Sequence, residues 1–409
     1  MQLDVNVVLT LAAAIVVLLV GRAIVARVAF LNRYSIPDPV VGGLIAALVI
    51  TALRLLGDVR ITFDMTPQST LLLAFFSTIG LSADVRMLLK GGVRLLVLLA
   101  VVTVFLLVQN GLGVLAAIGL DMNPLFGLLA GSVTMAGGHG TGAAYAKLFG
   151  EVNNLQGAME VAMACATFGL VLGGIIGGPV AERLIARHGL APDPAAEPVT
   201  KKGAEEVAPG ELGPDERRAL SRESFFETVF LILLCVGVGS LVASVVTIPW
   251  FTLPTFVWCL LTGIVVCNLL GLTGTYRIDT PTLDLLGTIC LSLFLAMALM
   301  ALKLWELVGL ALPVLGILVL QTALTAAYAT WVTFPLMGRN YDAAVIAAGH
   351  CGFGLGATPT AIANMQAVTG RHGHSTLAFL LVPIIGAFLI DIVNALVIQS
   401  YLALPQLGF

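Results

Sequence analysis

The sequence predicts an all-α polytopic membrane protein built as two inverted repeats of five transmembrane helices, each repeat carrying a re-entrant hairpin. Three observations lead there. Of 409 residues, 59% are hydrophobic and 11% charged, with a mean hydropathy of +1.03, whereas soluble domains carry roughly 25% charged residues. Apolar runs free of Lys and Arg, such as Leu95–Leu120 and Val161–Ala181, are long enough to cross a hydrocarbon core, which takes roughly 20 helical residues. Finally, one constant offset pairs Pro37 with Pro254, Asn123 with Asn340, Gly137 with Gly354, Thr141 with Thr358 and Gly169 with Gly386. Weak singly, these matches fall in the same order in both halves, as an internal duplication requires.

The first repeat, residues 1–187, is expected to hold helices near 5–28, 38–57, 69–88, 93–120 and 159–186. Its first apolar run, Val5–Gly21, lacks the basic segment that precedes a secretory signal core and is expected to remain as a helix. Residues 188–222, rich in Pro, Ala, Glu and Lys, read as a linker. The second repeat, residues 223–409, places helices near 225–247, 254–271, 283–303, 307–336 and 376–402. Lys303 and Glu306 beside Trp305 read as interfacial anchors.

Between the last two helices of each repeat lies a segment rich in glycine, 123–148 and 341–366. Thr134-Met-Ala-Gly-Gly-His-Gly-Thr-Gly142 and Gly349-His-Cys-Gly-Phe-Gly-Leu-Gly-Ala-Thr-Pro359 make poor continuous helices. Arms of about a dozen residues reach ~18 Å, enough to enter the membrane and return but not to cross it. Both segments are therefore read as re-entrant hairpins. Five crossings per repeat, an odd number, invert the second repeat relative to the first. With the N-terminus outside, all but four of the 20 basic residues (Arg54, Arg60, Lys147 and Lys303) fall on the cytoplasmic side, the bias of the positive-inside rule. Both termini are then periplasmic, the linker is cytoplasmic, and the two hairpin tips approach from opposite faces.

Unwound backbone survives at membrane depth only inside protein or beside a water-lined cavity. Free N–H groups at half-helix N-termini suit a carboxylate, and free carbonyls at the opposite ends suit a bare cation. The expected anion site comprises Thr134, Gly137, Gly138, His139, Gly140, Thr141, Gly356, Thr358 and Thr360, with Arg371 as a bidentate partner for a carboxylate. For His139 and His350, two readings stand: pinning of the loop backbone, and direct contact with the bound anion. The expected cation site draws on Asp391 and Asn394, three residues apart in an apolar helix, with Asn110, Cys351 and Gly352.

Other classes fit poorly. A net charge of −3 with scattered basic residues gives no face for nucleic acid. The six cysteines form no C-x-x-C pair and read as packing residues, so no transition-metal site is expected. Neither G-x-S-x-G nor H-E-x-x-H occurs, and the chain is not expected to be an enzyme.

Four motifs carry a resemblance: Ile36-Pro-Asp-Pro-Val-Val-Gly-Gly43, Ala136-Gly-Gly-His-Gly-Thr-Gly142, Glu160-Val-Ala-Met-Ala-Cys-Ala-Thr-Phe-Gly169 and Gly349-His-Cys-Gly-Phe-Gly-Leu-Gly-Ala-Thr-Pro-Thr-Ala-Ile-Ala-Asn364. Together they resemble the bacterial sodium:glutamate symporter family over nearly the whole chain. The resemblance implies Na+-driven uptake of L-glutamate across the inner membrane, with Na+ as coupling ion, and a homodimer in the lipid bilayer. By analogy with related folds it also implies an elevator-like cycle, in which helices 38–57 and 254–271 are scaffold candidates. A Na+-coupled carrier of another small carboxylate, such as citrate or malate, is the neighbouring reading.

Overall fold

The computed structural model describes residues 2–29, 31, 36–57, 60–84, 86–192, 222–246, 253–273, 278–302 and 310–404. Most of the expected linker, together with Lys303, Trp305 and Glu306, lies outside the described residues. The first half contains α1 (Val7–Val25), α2 (Asp38–Gly57), α3 (Thr66–Leu81), α4 (Arg86–Gly119, kinked at Gly92), the short α5 (Pro124–Val133), α6 (Gly138–Val152) and α7 (Ala158–His188). The second contains α8 (Arg222–Val245), α9 (Thr255–Thr273), α10 (Thr280–Met300), α11 (Ala311–Leu336), α12 (Tyr341–Leu355), α13 (Thr358–His372) and α14 (residues 376–402). Three π-turns interrupt these helices, at Leu129–Val133 in α5, Ala329–Thr333 in α11 and Ile385–Leu389 in α14.

Helices thus form within several residues of the predicted positions. Seven of them, among the described residues, are long and apolar enough to span a membrane, so the chain is a multi-pass membrane protein. The other predicted crossings fall on α2, α3 and α14. Asn123 and Asn340, paired by the sequence offset, do the same work: each side chain caps a half-helix, accepting from Leu125 N and Ala343 N respectively.

One element departs from the all-α expectation. Residues Gln2–Val5 (β1) pair in parallel with Arg60–Phe63 (β2). Thr10 secures the ribbon: its hydroxyl donates to Val5 O and accepts from Asp64 N. Four-residue strands so far apart in sequence leave too little alternation to be read as a pair.

The helices sort into two packed groups. In one, α3 lies against α9 and α10, α1 against α2, and α2 against α10, with α8 on α9. In the other, α12 and α13 pack on α7, α6 on α7, α5 on α4, and α14 on α4. Among the described residues, the main contacts between the groups are α10 on α6 and α3 on the π-turn of α14. Each half of the chain contributes to both groups. Small residues bring the backbones close: a Cβ at Gly80 of α3 would overlap the Leu260 carbonyl of α9, and one at Gly169 of α7 would overlap the Leu355 carbonyl of α12.

That contact sets a stability test. Gly80→Ala forces α3 away from α9 and is expected to destabilise the purified protein by about 2 kcal/mol, the scale of overpacking. Gly178→Ala, where nothing lies within 4 Å of the added Cβ, is expected to leave the thermal midpoint in detergent unchanged or slightly raised. Equal midpoints for the two variants would contradict the close contact.

Candidate functional site

The two breaks meet. In the first, the backbone leaves helical geometry at Gly131 (φ −93°, ψ −142°), returns to it at Thr134, and departs again at Gly138 (φ 62°), the first residue of α6. In the second, Gly356 (φ −145°, ψ −98°) and the extended Ala357 separate α12 from α13. A Cβ built on Gly138 would stand 3.6 Å from the Gly356 carbonyl oxygen. The left-handed φ at Gly138 is one that glycine adopts without penalty, so the backbone turn at this point favours glycine.

Neither α6 nor α13 has a side-chain N-cap. The first N–H groups of both helices are left without intrahelical acceptors, and both helix starts line one cavity of about 770 Å³. Its walls come from both helix groups: Ile36–Pro39, α3 and α10 on one side, and the two breaks and α14 on the other. Three carboxylates line it, Asp38, Asp284 and Asp391, and no Lys or Arg does among the described lining residues. Positive potential in the cavity therefore comes from backbone dipoles.

Of the expected anion-site residues, Gly137, Gly138, His139, Gly140, Thr141, Gly356, Thr358 and Thr360 line this cavity. Thr134 does not; its buried hydroxyl donates to Leu129 O at 2.6 Å. Arg371 does not either. It stands in the last turn of α13 with its side chain 74% exposed, paired to Glu182 of α7 at 3.3 Å, and Glu182 also holds His372 at 2.8 Å. His139 sits at the cavity with Nε2 3.1 Å from the Thr167 hydroxyl. Because that hydroxyl donates to Met163 O, it accepts from His139, and Nε2 carries the proton. His350 lies away from the cavity, its Nδ1 3.0 Å from the Thr333 hydroxyl and its ring among Phe105, Tyr328 and Phe353.

The expected cation residues separate. Asp391 lines the cavity, whereas Asn394, three residues on, turns to the first break: it accepts from the Ser132 hydroxyl at 2.5 Å and donates to Ser132 O at 2.9 Å. Asn110 accepts from Ser132 N at 2.8 Å. Cys351 and Gly352 are buried within α12, and a Cβ at Gly352 would collide with Ala361 of α13. All six cysteines are free thiols.

Sequence reading missed one wall. Asp284, Thr288 and Ser292 follow one another at intervals of four along α10, on the same wall as Thr78 and Ser82 of α3. A polar stripe at helical spacing in an otherwise apolar helix is the signal that could have found them.

Comparison with known proteins bears on what this cavity holds. The family profile described as Sodium/glutamate symporter matches residues 3–374. A Sodium/glutamate symporter of Escherichia coli (strain K12) is 52% identical over 396 residues, covering 97% of each chain. Another, of Haemophilus influenzae (strain ATCC 51907 / DSM 11121 / KW20 / Rd), is 46% identical over 398 residues, again 97% of each.

The cavity wall can be mapped by thiol labelling. With the native cysteines replaced, Thr288→Cys and Thr358→Cys are expected to react with a small water-soluble maleimide at least about tenfold faster than Thr134→Cys, whose position is sealed from water. Equal rates at the three positions would contradict the cavity boundary.

Proposed function

The chain belongs to the sodium/glutamate symporter family, and from that premise we propose that it couples Na+ entry to uptake of L-glutamate across the bacterial inner membrane. One observation carries the substrate reading: two uncapped helix N-termini, one from each half of the chain, open into a single cavity. Glutamate brings two carboxylates, and backbone N–H groups at helix starts bind such groups without a basic side chain. The hydroxyls of Thr141 and Thr360 supply further hydrogen bonds, while Thr358 donates to Gly386 O at 2.6 Å and ties the second break to α14. Asp391 is the hard-cation ligand of this reading, since a carboxylate on the cavity wall is an oxygen donor of the kind Na+ requires. A cation there also offsets the charge of the incoming anion, which is the physical basis of coupling.

Alternating access follows from the two helix groups. The group holding both breaks, α4–α7 with α11–α14, is read as the moving body, and α1–α3 with α8–α10 as the scaffold it slides against. The backbones of the two groups approach each other at few places, which supports this elevator-like division, with side chains such as Tyr145 and Phe256 meeting across the seam. Half-helix arms of 15 residues, as in α6, α12 and α13, extend ~22 Å, short of a ~30 Å hydrocarbon core, which supports re-entrant hairpins inside inverted repeats. The cavity reaches Val25, Ile36–Pro39, Ser82 and Asp284, helix ends whose adjoining sequence carries Arg22, Arg27, Arg33, Arg86 and Arg277. By the positive-inside rule that end is cytoplasmic, and the conformation is inward-open, with both termini periplasmic. The scaffold group is the part available for homodimer contact.

Radiolabelled uptake into proteoliposomes tests the reading. An inward Na+ gradient is expected to drive accumulation of L-glutamate, competed by L-glutamate at micromolar levels but not by citrate or malate. Accumulation without Na+, or competition by citrate alone, would overturn it. Asp391→Asn is expected to weaken the Na+ dependence by about tenfold or more, ~1.4 kcal/mol; an unchanged Na+ dependence would remove Asp391 from the cation site.

A further inference from the structure

Gln109 and Asn110 are consecutive residues in the middle of α4, both fully buried. Each reaches a different break. Gln109 Nε2 donates to Gly354 O at 2.9 Å, a carbonyl in the last turn of α12, where the helix supplies no partner. Asn110 Oδ1 accepts from Ser132 N at 2.8 Å, an amide released when the chain leaves helical geometry at Gly131. A Cβ at Gly131 would stand 2.6 Å from that same Oδ1, so glycine is what lets the amide come this near. From α11, Gln321 Nε2 donates to Gln109 O at 2.8 Å and steadies this stretch of α4.

Each amide uses one half and leaves the other idle: Gln109 Oε1 and Asn110 Nδ2 are buried without a partner. Leucine at either place would avoid that penalty if filling space were the purpose. The amides are explained by the bonds they make to the breaks.

The geometry points to Gln109 and Asn110 as a single coupling element that transmits order between the two breaks, so that Na+ binding at Asp391 of α14, a helix that meets the first break through Asn394 and Ser132, raises the affinity for glutamate at the two helix starts. Neighbouring residues on one helix move together, and a displacement of either break is felt by the same turn of α4. Coupling of two ligands through one shared element is reciprocal and amounts to roughly 5–150-fold in affinity. Gln109 acts in this as a positioning residue, since it touches neither the cavity nor its contents. The inference rests on the Na+–glutamate reading given above.

The test is glutamate binding to the purified full-length protein, measured calorimetrically without Na+ and at saturating Na+, for wild type, Gln109→Leu and Gln109→Met. The ratio of the two affinities is the readout, because a general loss of packing shifts both affinities together and leaves it unmoved. Gln109→Met preserves the length and shape of the side chain but has no donor for the Gly354 carbonyl, and it stands in if the leucine variant lacks a cooperative melt. Wild type is expected to bind more tightly with Na+ by about tenfold or more, and each folded variant to retain no more than about a third of that gain. A variant with the full wild-type ratio would overturn the coupling element while leaving symport intact. A wild type without Na+ enhancement would instead overturn the symport reading on which the element depends.

Discussion

A backbone N–H or C=O group without a partner is intolerable in hydrocarbon, at several kcal/mol for each such group, and the architecture around the breaks follows from that constraint. Opening two helices at mid-chain releases amides and carbonyls that must be answered by other helices or by water. Some are answered by side chains from afar: Asn110 and Asn394 at Ser132, and Gln109 at Gly354. Those at the starts of α6 and α13 face a cavity instead. Those amides are the groups that remain open to a ligand.

Among the described residues no Lys or Arg lines the cavity, and the proposed symport gives that a reason. A fixed Lys or Arg would hold a glutamate carboxylate whether or not a cation were present. Backbone dipoles carry only fractional charge, and with Asp38, Asp284 and Asp391 around the same space an anion alone meets a nearly balanced or adverse field. A cation changes that balance. On the symport proposed above, weak intrinsic attraction for the anion favours strict coupling, and Arg371, at the surface on Glu182, adds no positive charge to the cavity.

Much of this was legible in the sequence because glycine clusters and apolar runs are local signals. The helices, the two breaks and the glycine and threonine lining could be placed from residue order alone. Contacts that depend on which distant helix lies alongside could not. Asp391 and Asn394 share a helix face by spacing, yet one meets the cavity and the other meets Ser132, because the first break runs against α14. Arg371 falls close to the second break in sequence, but fifteen residues of α13 carry it away from the tip. Gln109 and Gln321 drew no notice as isolated amides in apolar helices; their meaning lies in partners more than 200 residues distant.

The small parallel ribbon has a consequence of its own. Strand β1 precedes α1 and β2 follows α2, and their backbones are hydrogen-bonded along Gln2–Val5 and Arg60–Phe63. Two segments joined in this way occupy the same aqueous compartment, so the stretch of chain between them traverses the bilayer an even number of times. The ribbon acts as a parity check on insertion. It can close only after α2 has returned to the side from which α1 departed, and it holds α1 and α2 as an antiparallel pair without reference to any loop charge.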